Sequence, residues 1–245
     1  MARRPPRIAC IHAMQASLAP TQAAFEVVFP RAELLNLLDD TLSRDVQQPH
    51  DDESLSARFE ALARYALLSG ADAVLFTCSA FGGQIERVQR LDTLRSVPVL
   101  KPNEALQRQI IASGGTVAIV SMFKPTLVSI LRELRELWEG TEGAPPFAPI
   151  EVHVPGALDA LNRGERHKCA ESIAAAVVNV LGGCAELECV ALAMFSMAFA
   201  RGVVEAELKR IFPSRSIRLL TSPESAVHEL REQLRERLDP SRYEI

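Results

Sequence analysis

The same order of strands and helices is written twice along this chain, and that repetition restricts its fold more than any other feature. Arg7–His12 (R-I-A-C-I-H) and Thr116–Met122 (T-V-A-I-V-S-M) are short β-rich runs. Each is followed by a loop that enters a helix through Pro-Thr, at Pro20-Thr21 and at Pro125-Thr126. Second strands are predicted at Glu33–Leu38 and at Ile150–Val154, where I-E-V-H-V alternates with period two. The spacing of Leu55, Phe59, Leu62 and Leu68 predicts a helix over Ser54–Leu68 that stops at Gly70; its counterpart over Ala170–Leu181 stops at Gly182-Gly183. Third strands follow as A-V-L-F-T-C-S and C-V-A-L-A-M-F-S, and fourth strands at Val97–Leu100 and Ile217–Leu220. Two β-α-β-α-β-α-β units in tandem imply an α/β fold of two pseudo-symmetric lobes, each a four-stranded parallel sheet flanked by helices. The expected division is residues 1–113 for the first lobe and 114–221 for the second, with 222–245 a C-terminal helix, capped by Ser222, that can pack back on the first lobe.

Two further stretches read as connections: Asp39–Asp52 as an acidic surface loop, and Glu139–Pro149, with its glycines and prolines, as the loosest connector. Composition narrows the partners. A formal charge of −4 with 24% charged residues gives no reason to expect nucleic acid. No run approaches the roughly 18 apolar residues of a membrane span. The basic opening M-A-R-R-P-P-R is followed by an apolar stretch too short and too interrupted for a signal peptide. Five cysteines without a Cys-x-x-Cys pair argue for free thiols in a reducing compartment, so a cytoplasmic location is expected.

Ligands of parallel sheets gather beyond the carboxyl ends of the strands, which puts the expected chemistry after strands one and three of each lobe, in a cleft between the lobes. Cys78, in T-C-S-A-F-G, ends the third strand of the first lobe. A free cysteine is often only a buried core residue. Here, though, Thr77, Ser79 and Ala80 flank it, and Gly82-Gly83 opens a predicted helix over Gln84–Leu91 whose N-terminus would favour a thiolate and bind a carboxylate. An ordinary thiol pKa of about 8.5 leaves only a few per cent thiolate at neutral pH, so a base or nucleophile needs that value depressed.

The loop H-A-M-Q-A-S-L-A-P-T after strand one brings His12, Gln15 and Ser17 to the same edge, either as substrate contacts or as helix caps and a hydrogen-bonded strand-end histidine. In the second lobe Ser121, Met122, Phe123 and Lys124 occupy the equivalent loop, and Met194 and Ser196 end the third strand. No metal is expected: Asp39-Asp40 has no histidine or third carboxylate at ligand spacing, and His153, His167 and His228 form no zinc pattern. No G-x-G-x-x-G phosphate signature is present, so the α/β pattern does not read as nucleotide binding, and no cofactor is expected.

The duplicated plan, with T-C-S-A-F-G closing one third strand and L-A-M-F-S-M-A closing the other, resembles the aspartate/glutamate/hydantoin racemase superfamily, which includes arylmalonate decarboxylase and maleate isomerase. The resemblance implies two cysteines flanking a small carboxylate substrate, without cofactor or metal, and it admits a homodimer. Cys78 matches the first cysteine. Met194 stands where the second is expected, and a thioether cannot move a proton. The implied activity is racemisation or isomerisation at the carbon next to the carboxylate of a small acid such as an acidic amino acid, with Cys78 as proton-transfer base or acid. His12 is then the candidate second base. Substrate contacts fall to Gln15, Ser17, Thr77, Ser79, Ala80, Ser121, Met122, Phe123, Met194 and Ser196. Two alternatives stay open: an arylmalonate-type decarboxylase, which needs one proton donor, and a carboxylate-binding protein without catalysis. In arylmalonate decarboxylase the resemblance implies a single thiol in the second half; here it lies in the first.

Overall fold

The computed structural model describes residues 3–46, 51–239 and 241–243, so part of the expected Asp39–Asp52 loop, residues 47–50, lies outside the described residues. The chain divides into two compact units: one runs up to Pro102 and resumes at Ala226, and the other spans Asn103–Ser225.

The first unit holds strands β1 (Arg7–His12), β2 (Glu33–Leu38), β3 (Ala73–Phe76) and β4 (Val99–Leu100) in the order β2-β1-β3-β4, all parallel. Every residue of β3 is buried, as an uninterrupted apolar run demands when helices cover both faces of a parallel sheet. The helices are α1 (Leu18–Val28), α2 (Leu42–Asp45), α3 (Asp52–Leu68) and α4 (Gly82–Gln89). Helix α3 starts where Asp51 accepts hydrogen bonds from the backbone N–H groups of Glu53 and Ser54, and it buries Leu55, Phe59, Ala63 and Ala66 at helical spacing. Phe59 stacks on Phe76 at 5.4 Å and meets Phe81 at 4.9 Å, a cluster that floors the end of β3. Arg231, near the chain's end, donates to the Val28 carbonyl at 3.1 Å, which places a cation at the C-terminus of α1.

The second unit repeats the pattern. Strands β5 (Gly115–Ser121), β6 (Phe147–His153), β7 (Leu187–Leu192) and β8 (Arg218–Thr221) lie in the order β6-β5-β7-β8, again all parallel. The two-sheet α/β architecture expected from the sequence is therefore observed. Its helices are α5 (Glu104–Ser113), α6 (Lys124–Glu139), α7 (Ala157–Asn162), α8 (Arg166–Gly183) and α9 (Arg201–Ile211). Helix α5 follows the first sheet in sequence yet belongs to the second unit, where Leu106, Ile110 and Ile111 join Val117 and Ile119 of β5 in one core. The reverse holds for α10 (Ser222–Arg237), which follows β8 and from Ala226 onward belongs to the first unit. Gly115 enters β5 at φ 75°, a left-handed backbone that favours glycine.

Several boundaries differ from those read in the sequence. Strand β6 begins at Phe147, inside the stretch expected to be a connector; Pro149 is tolerated because β6 is an edge strand and one face of its ladder goes unpaired. The presumed surface loop after β2 contains α2, whose Leu42 is 1% exposed. In each sheet the second strand lies on one side of the first and the third strand on the other. The carboxyl ends of β1 and β3, and likewise of β5 and β7, are thus topological switch points, where α/β sheets open a crevice.

Candidate functional site

At the switch point of the first unit, Thr77 and Cys78 leave β3 beside the end of β1. The Thr77 N–H donates to the Ile11 carbonyl at 3.0 Å, extending the β1–β3 ladder by one rung. Cys78 then turns the chain, still extended, into a 3₁₀ segment over Ser79–Phe81 that runs into α4. Cys78 is half-buried and packed against the first unit's core, and with His12, Leu42 and Phe59 it borders a small gap that has no room for a water molecule. Burial pushes its thiol up to about 11, while a hydrogen bond with the Ala80 backbone pulls weakly the other way. The thiol of the free protein is therefore protonated at neutral pH, the opposite of the depression that a resting thiolate needs.

His12 is completely buried at the end of β1. Its Nδ1 lies 2.9 Å from Thr77 Oγ1 and its Nε2 lies 3.0 Å from Asn36 Oδ1 on β2. Burial lowers its pKa, with the Asn36 hydrogen bond opposing. The structure thus brings His12, Thr77 and Cys78 together. Ser17 is buried at the start of α1, where its carbonyl accepts from Thr21 Oγ1 at 2.7 Å and its side chain forms no cap. Gln15 and Ala80 are exposed, and Ser79 is half-buried. Asn36 carries no warning in the sequence beyond being the one polar residue inside L-L-N-L-L, and Leu42 was hidden in what reads as a surface loop.

The second unit matches this geometry position by position. The Ala193 N–H donates to the Val120 carbonyl at 3.0 Å, the counterpart of Thr77 on Ile11. Met194 then turns, extended, into the 3₁₀ segment Phe195–Ala200, as Cys78 does into Ser79–Phe81. Met194 is therefore the structural counterpart of Cys78 in the second unit. Met194 is 9% exposed and Ser196 is 2% exposed. Ser121, the counterpart of His12, spends its hydroxyl locally, donating to the Phe123 carbonyl at 3.0 Å and accepting from the Phe123 N–H at 3.2 Å. Met122 is buried with its sulfur 3.4 Å from that of Cys169, Phe123 is half-buried on the core, and Lys124 is exposed.

Among the described residues, no group of three or more His, Cys, Asp or Glu side chains converges to hold a metal, and no helix is long and apolar enough to cross a membrane. No protein-family model matches the chain, and no curated protein matches it by sequence. Solved structures do match. A glutamate racemase from Bacillus anthracis superposes with a TM-score of 0.68 at 11% identity, covering 94% of this chain and 82% of its own. An aspartate racemase homologue from Pyrococcus horikoshii gives 0.65 at 16% identity, covering 93% and 98%. A glycine-to-cysteine mutant of arylmalonate decarboxylase gives 0.58 at 14% identity, covering 93% and 92%. Over nearly its whole length, this chain shares the fold of these racemases and of arylmalonate decarboxylase.

Proposed function

We propose that the chain is a cofactor-independent enzyme of the racemase and decarboxylase type, acting at the carbon next to a carboxylate, with Cys78 delivering one proton to that carbon. The observation that carries this reading is the pairing of Cys78 with Met194 at equivalent turns: one position bears a titratable thiol and the other a thioether. A two-base racemase needs a titratable group on each face of the carbon, whereas decarboxylation of a substituted malonate needs a single proton donor. A thiol pushed up to about 11 keeps its proton at neutral pH and so has one to give.

In the decarboxylation, the bond from the central carbon to one carboxylate breaks, carbon dioxide leaves, and the electron pair remains as an enediolate on the retained carboxylate. The carbon then takes the proton from Cys78 Sγ, and water returns one to the thiolate. Backbone N–H groups around Cys78–Ala80, with the Ser17 and Ser79 hydroxyls, are the groups we assign to the charge on the carboxylate. A second reading, racemisation or isomerisation of a small acid such as an acidic amino acid, is favoured by the glutamate and aspartate racemases among the structural neighbours.

Turnover in deuterated water separates the two. Substituted malonates are expected to release carbon dioxide and yield product labelled at the α-carbon while recovered substrate stays unlabelled. Label washing into recovered acidic amino acids would instead establish the racemase. If Cys78→Ala keeps full activity in either assay, the proposed role of the thiol is wrong.

A further inference from the structure

We infer that His12 is a positioning residue for Cys78, acting through the hydroxyl of Thr77, and not a second base. Both ring nitrogens of His12 are engaged within the first unit, and the side chain is completely buried. The Asn36 carboxamide oxygen facing Nε2 can only accept, so Nε2 carries the ring hydrogen. A neutral ring then leaves Nδ1 bare, an acceptor that draws the Thr77 hydroxyl proton across 2.9 Å. The Ile11 carbonyl lies 3.3 Å from the same hydroxyl and is the poorer competitor for that single proton.

Thr77 is consequently tied to β1 twice, by its N–H on Ile11 and by its side chain on His12. Its branched side chain allows few rotamers, so this second tie fixes the backbone from which Cys78 projects. The chain of contacts runs from Asn36 on β2 through His12 on β1 to Thr77 and Cys78 after β3, and His12 and Cys78 border the same small space. A neutral imidazole there also brings no positive charge toward the thiol, in keeping with a sulfur that rests protonated. The importance of this arrangement for turnover rests on the role proposed for Cys78; the arrangement itself does not.

The test uses the intact protein and iodoacetamide at one fixed pH, with alkylation followed at the Cys78 peptide by mass spectrometry. His12→Phe keeps a ring but removes both nitrogens, and Thr77→Val removes only the hydroxyl. Each is expected to speed Cys78 alkylation by about tenfold, the factor equivalent to one ordinary hydrogen bond. His12→Gln, which restores one donor and one acceptor, is expected to stay within about threefold of the parent rate. Leu94→Ala, a core truncation in the same unit, controls for general loosening and is expected to leave the rate unchanged when compared at equal folded fraction. Nitrogen NMR of the parent protein is expected to find Nε2 protonated and Nδ1 bare.

Equal alkylation rates in Thr77→Val and Leu94→Ala, or a hydrogen on Nδ1 alone, would overturn the inference. Should His12→Phe not fold, Thr77→Val and the NMR signature still decide it. Retained turnover in Cys78→Ala would remove the functional reading without altering any of these readouts, so the two failures are distinguishable.

Discussion

Ser222 donates its hydroxyl to Asn103 Oδ1 at 2.6 Å, joining two residues 119 positions apart that each follow the fourth strand of a sheet. Both side chains are buried, and the Leu192 carbonyl lies 3.2 Å from the same hydroxyl as its alternative partner. The bond locks the start of α5 to the start of α10, the two helices that leave the sheet preceding them and serve the other unit. Asn103→Ala and Ser222→Ala are each expected to lower stability by about 1–2 kcal/mol, and the double mutant by less than the sum, because either change removes the same bond. Urea unfolding of the four proteins measures this; strict additivity would show that the contact contributes nothing of its own.

The exchange of helices makes α10 essential to the first unit. Ala226, Val227, Leu230 and Leu234 are all completely buried along it. Leu230→Ala is expected to cost about 2–5 kcal/mol, the range for a buried leucine truncated to alanine. A loss under about 1 kcal/mol in thermal or urea unfolding would mean that the helix is only loosely docked.

How far the sequence could be read depended on whether a residue's role is local. Strands β1, β2 and β3 lie where their apolar runs put them, because period and composition are local signals. The start of strand β6 is masked in the sequence because Pro145, Pro146 and Pro149 look like a linker, and only its place at a sheet edge makes Pro149 acceptable. Cys78 and Met194 stand out because T-C-S and A-M-F end apolar strands, and the structure places both at the same turn. The partners of His12 were not legible: Asn36 is 24 residues away and Thr77 is 65, and nothing in either segment marks the pairing. The raised thiol pKa was equally hidden, since a strand-end position suggests helix-terminus stabilisation while the tertiary packing of Leu42 and Phe59 dictates desolvation.

Leu42 is held over the space beside Cys78 by an ion-pair clamp. Arg58 on α3 reaches Asp39, just before α2, at 2.5 Å and Asp45, the last residue of α2, at 2.6 Å. Burial pushes the Asp39 carboxyl up, but the hydrogen bonds from Arg58 and Thr41 outweigh it and hold the carboxyl below its ordinary range. Arg58→Met is expected to change global stability by no more than about 1 kcal/mol, as for other partly exposed ion pairs. It is also expected to accelerate alkylation of Cys78 by freeing the Leu42 cover. An unchanged alkylation rate would show that Leu42 keeps its place through packing alone.

Titration of buried groups sets opposite limbs of the stability profile. His12 has a folded pKa below its ordinary 6.5, so as pH falls the unfolded chain takes up a proton first. Its contribution is full above pH 6.5 and declines below it, until the folded-state ring also protonates. The thiols work in the other direction. Burial pushes Cys10 up to about 12, and pushes Cys78 and Cys189 up to about 11, from an ordinary value of about 8.5. As pH rises through that ordinary value the unfolded chain loses these protons first, so stability present below it declines until the folded thiols also ionise at about 11 to 12. Urea midpoints measured across pH for the parent, His12→Gln and Cys10→Ala test both signs. His12→Gln is expected to flatten the acid limb below pH 6.5 and leave the alkaline limb alone, and Cys10→Ala to flatten the alkaline limb only, whatever its baseline loss from the cavity. An acid limb equally steep in His12→Gln would mean that the ring takes up its proton as readily in the fold as in the unfolded chain, so that burial does not hold it neutral.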